Sequence, residues 1–145
     1  MKMLNFITLF LIVNLCNISC EKNNSDNEFS ELIIGSWYLN SVIESSSNQT
    51  LFYPDSLDKK IIFTFIDSTN IIIKGYCNNG TGLYSIQSGN KIIFESISLT
   101  ELLCIWWESP LLFELYKAES FDIENNILEI NTTSDYFKFI FIREN

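Results

Sequence analysis

The chain has 145 residues, of which 9 are Lys or Arg, 18 are Asp or Glu and none is His, giving a formal net charge of −9. Without histidine there is no Ser-His-Asp or Cys-His machinery, and the commonest general base near neutral pH is missing. The acidic balance argues against nucleic acid or anionic headgroups as partners, because both need clustered Lys and Arg.

In chain order, the first element is a leader. Lys2 gives it a positive start, and residues 4–15 form an apolar stretch interrupted by Asn5 and Asn14. That stretch is too short for a helix that must cross ~30 Å of hydrocarbon. It ends at Asn17-Ile18-Ser19-Cys20, where Ser19 is the small residue a signal peptidase prefers before its cut. The segment resembles a lipoprotein signal, with Asn17 standing where the pattern prefers Leu. The resemblance implies cleavage after Ser19 and acylation of Cys20. Two alternatives stay open: Cys16, which follows the bulky Leu15, and ordinary cleavage that leaves Cys20 as a thiol. The reading divides the chain into a signal peptide at 1–19, a lipidated cysteine with a polar tether at 20–30, and one domain at 31–145. Loss of the leader leaves 8 basic against 18 acidic residues, a net charge of −10.

The body reads as β nearly throughout. Residues 32–43 form a first strand, broken at Gly35, and 45–58 a long polar loop. Residues 60–66 and 70–77 make a hairpin around Asp67-Ser68-Thr69, and 81–87 and 91–97 another around Ser88-Gly89-Asn90. Ser109 and Pro110 suit the cap and first position of a helix, and Leu111, Leu112, Leu115 and Ala118 recur at helical spacing, so 109–118 is expected to be a short helix. Residues 120–124 and 127–131 flank Asn125-Asn126, a turn that tolerates positive φ. Residues 136–143 close the chain. Phe137, Phe139 and Phe141 alternate there with Lys138, Ile140 and Ile142, and Ile61, Phe63 and Phe65 alternate likewise, as a strand with one buried side does. The expected fold is all-β with one short helix, a small antiparallel barrel, because closure removes exposed edges.

Four cysteines sort by position. Cys16 leaves with the leader and Cys20 takes lipid. Cys77 and Cys104 remain, and in an oxidising compartment a disulfide between them is the natural pairing, contributing roughly 3 kcal/mol through loop closure. Two buried thiols are the alternative. Two cysteines without histidine do not make a zinc site, no acidic run has the spacing of a calcium loop, and no metal or cofactor is expected. Glu95, Glu101, Glu108 and Glu114 are a weak carboxylate cluster in a chain this acidic, and no catalytic residue is assigned.

The segment Gly75-Tyr76-Cys77-Asn78-Asn79-Gly80-Thr81-Gly82-Leu83-Tyr84 resembles the GCN…GxY signature of META-domain proteins, small lipoproteins of the heat-shock outer-membrane type. Thr100 and Cys104 are similar to that family's T…C element. Gly35-Ser36-Trp37-Tyr38-Leu39 is similar to its opening strand and also to the G-x-W opening of lipocalin-like domains. Tyr76 and Leu103 depart from the META pattern. The META resemblance implies a non-enzymatic envelope lipoprotein of the outer membrane, supporting envelope integrity or stress tolerance through a protein partner. The lipocalin resemblance implies a carrier of a small hydrophobic ligand. For the carrier, Trp37, Trp106 and Trp107 are the candidate ligand contacts, an aromatic wall at the barrel mouth. For partner inhibition, the loop at 45–58 is the candidate.

Overall fold

The computed structural model describes residues 31–100, 113–133 and 137–145. Nine strands follow one another: β1 (Gly35–Glu44), β2 (Gln49–Phe52), β3 (Ile62–Phe65), β4 (Asn70–Lys74), β5 (Asn79–Gln87), β6 (Lys91–Leu99), β7 (Ala118–Glu124), β8 (Ile127–Thr132) and β9 (Phe137–Arg143). All neighbours pair antiparallel, and β9 returns to β1, so eight strands close into a barrel. One edge of β1 is shared: its first half pairs with β3 and its second half with β2, while the other edge takes β9.

The alternation seen in the sequence sets which side chains point inward. Ile61, Phe63 and Phe65 are buried, as are Phe139 and Phe141. Ring contacts cross the interior, with Phe63 and Phe141 at 4.8 Å and Phe65 edge-on to Tyr84 at 5.0 Å. Each buried ring stabilises the fold by about 1.5–3 kcal/mol. The turns use the residues expected of them: Asn90, Asn125 and Gly89 all have positive φ.

Three expectations change. Residues 31–33 form a helical turn, so β1 begins at Gly35 rather than at residue 32. The expected loop at 45–58 contains β2, whose Ser41↔Phe52 to Glu44↔Gln49 register extends β1. Within the expected helix, the described part is helical only at 113–115, and Ala118 opens β7 opposite Thr132. Strand pairing, with the Thr133 amide donating to the Lys117 carbonyl at 2.8 Å, overrides helical spacing there.

Gly80 shows why the β5–β6 hairpin needs glycine. A Cβ at Gly80 would lie 2.3 Å from the Ser98 carbonyl oxygen and 2.5 Å from a Leu99 methyl. The β6 strand rolls over β5 more closely than a side chain permits.

Candidate functional site

Of the site residues expected from sequence, Trp37 and Cys77 fall among the described residues, whereas Cys20, Cys104, Trp106 and Trp107 lie outside them. Trp37 is fully buried, at 0% exposed. Its indole Nε1–H donates to the Ile33 carbonyl at 2.7 Å, and the Arg143 guanidinium lies over its ring at 4.1 Å. Arg143 Nη1 donates to the Ile34 carbonyl at 3.0 Å, and Nη2 to that of Leu32. Gly35 makes this fit possible: its φ is +126°, and a Cβ there would sit 2.9 Å from Nη1. The G-x-W element and the last cation of β9 therefore clamp the 31–33 turn onto one end of the barrel. Arg143's part in this leaves no local sequence signal, because the carbonyls it binds lie over a hundred residues away along the chain.

At the other end, the GCN segment is a turn stitched to the end of β6. The Gly75 amide donates to the Asn78 carbonyl at 2.7 Å, the Asn79 amide to Thr100 Oγ1 at 3.0 Å, and the Thr100 amide to the Asn79 carbonyl at 2.9 Å. Asn78 is buried and its Oδ1 accepts from Thr100 Oγ1 at 3.3 Å. This brings together Asn78, Asn79 and Thr100. Cys77 lies within this turn and is half-buried. Asp58 raises the Tyr76 phenol above its ordinary value, first by charge and then by hydrogen bonding.

The β3–β4 turn is held by Asp67, whose carboxylate accepts from the Thr69 and Asn70 amides, both at 2.8 Å. These bonds, with those from the Asn70 and Thr69 side chains, bring its pKa down to about 2. Buried Tyr84 donates its hydroxyl to the Asp67 carbonyl. Desolvation, then the Asp67 charge, pushes its phenol up to about 12. Both groups are driven away from neutral pH, which suits a structural turn and not proton transfer. Among the described residues no cluster of three acidic or cysteine side chains is placed to hold a metal.

What the described surface does offer is a shallow trough on the outside of β4–β6. Two depressions of about 460 and 470 Å³ adjoin there and share Ile72, Thr81 and Ser98. Ile66 and Leu83 border the second and are half exposed. The registers Ile72↔Thr81 and Thr81↔Ser98 put the shared residues in one row across three strands. The trough is uncharged apart from Asp67 and Lys74, on a strongly acidic protein. It was invisible in the sequence because it arises from strand register.

Solved bacterial structures share this barrel. One is a protein from Burkholderia xenovorans, with a TM-score of 0.65 and 18% identity over 81% of this chain and 88% of that one. Another is a DUF4847 family protein from Bacteroides vulgatus, with a TM-score of 0.63 and 10% identity over 81% of this chain and 99% of that one. At these identities the likeness is one of fold alone. No family model and no curated protein sequence matches the chain.

Proposed function

We propose that this protein is a non-enzymatic lipoprotein of the bacterial cell envelope, in the outer membrane, that acts through contacts made by its outer surface. In this reading residues 1–19 are removed, Cys20 carries the lipid, residues 20–30 tether the barrel, and Cys77 pairs with Cys104. The observation that carries the surface part is the close packing of the described core. Trp37, Phe63, Phe65, Tyr84 and Phe141 are each at most 1% exposed, and Ile61, Ile73, Ile92, Leu128 and Ile130 are 0% exposed. A carrier needs an open, apolar cavity, whereas these described side chains are bulky and pack as one core cluster, which favours contacts made at the surface. The leader and the META-like run at 75–84 support the envelope placement.

Native mass spectrometry of the protein purified from its own host tests the choice between surface and interior. The expected spectrum is the protein with its acyl groups and no further bound molecule. A small apolar compound that co-purifies in stoichiometric amount would favour the carrier instead.

A further inference from the structure

Among the described residues the barrel has one thin junction. β6 and β7 meet at Lys91↔Ser120, with the Phe121 amide donating to the Asn90 carbonyl at 2.9 Å. Among the described residues no other register pair joins them, although β6 runs on to Leu99. The other junctions around the barrel are ladders at least four residues long.

Above Lys91 a side chain stands in for the missing ladder. The Tyr116 hydroxyl accepts from the Ile97 N–H at 3.0 Å and donates to the Ile97 carbonyl at 2.8 Å. These are the two groups that a hydrogen-bonded antiparallel neighbour engages. Tyr116 follows the helical turn at 113–115, and the residue before it, Leu115, is 1% exposed in the core. The turn thus sets Leu115 in the core and Tyr116 against the outside of β6. Tyr116 itself is 52% exposed, so water can take its place at Ile97 when it leaves.

We propose that the barrel opens along the β6–β7 seam and that the Tyr116 hydroxyl is the latch that holds it shut. Opening frees the Ile97 backbone while the ladders through β8, β9 and β1 stay formed.

Amide hydrogen exchange of the mature, full-length protein, read residue by residue by NMR, tests this. In the native protein the Ile97 amide exchanges faster than the amides of the β8–β9 ladder. Tyr116→Phe keeps the ring and removes the hydroxyl, and raises the Ile97 rate about tenfold, the worth of one hydrogen bond, with β8–β9 unchanged. Tyr84→Phe, which removes a hydroxyl on the β3–β4 turn, leaves the Ile97 rate relative to β8–β9 as it was. The proposal is overturned if Tyr116→Phe leaves Ile97 as slow as before. It is equally overturned if Ile97 and β8–β9 accelerate together, because the seam then opens only with the whole barrel.

Discussion

Replacing Arg143 with alanine tests the clamp that closes one end of the barrel. The guanidinium makes two hydrogen bonds to backbone carbonyls and covers the Trp37 ring. A bond from a charged donor contributes about 1.5–3 kcal/mol. The low end applies here, because Arg143 is only partly buried and water can reach the Leu32 carbonyl in its absence. Two such bonds with about 0.5 kcal/mol for the ring contact give a loss of roughly 3.5 kcal/mol. In a domain of this size that lowers the melting temperature by roughly 10 °C. Arg143→Lys keeps the charge but loses the planar fork, so it recovers only part of the loss. Urea unfolding followed by tryptophan fluorescence measures both variants. The reasoning is refuted if Arg143→Ala stays within about 1 kcal/mol of the parent protein, or if Arg143→Lys equals it, since charge alone would then suffice.

Gly80→Ala drives a methyl group against the Ser98 carbonyl, a backbone atom that cannot rotate away, and costs about 1–3 kcal/mol in the same unfolding assay. Tyr84→Phe removes a hydroxyl bonded to the Asp67 carbonyl and costs about 1 kcal/mol; a spectrophotometric titration of this variant also loses the phenol that ionises near 12. The Asp67 carboxyl is held at about 2, below its ordinary 3.8, so its contribution is present above pH 3.8 and disappears as the pH falls through about 2. Asp67→Asn therefore flattens the acid limb of the stability–pH profile in that window; an unchanged limb assigns the acid sensitivity to other carboxylates.

The strands were readable wherever one face was buried. Phe139 and Phe141, or Ile61, Phe63 and Phe65, write the period of two plainly. β2 was not readable, since Gln49-Thr50-Leu51-Phe52 has no alternation and leaves Phe52 68% exposed; it is a strand only because β1 continues beside it. Leu115 points inward from the helical turn at 113–115, whereas Ala118, which falls on the same face at helical spacing, points inward from β7. The turn at Asn78 was foreshadowed by the glycines and asparagines of the motif, but its tie to Thr100 was not, because it depends on where β6 ends. Trp37 was visible as a residue, but its role depends on Arg143, at the far end of the chain. The Tyr116 contact with Ile97 left no trace in any local pattern.

The central claim is that the barrel is an exported, lipid-anchored body, and the intact mass of the protein taken from its own membranes tests it most directly. The account predicts a chain that begins at Cys20, carries acyl groups on that residue, and is lighter by the two hydrogens of one disulfide. A product that still begins at Met1, or that begins near residue 20 without acyl mass, contradicts it.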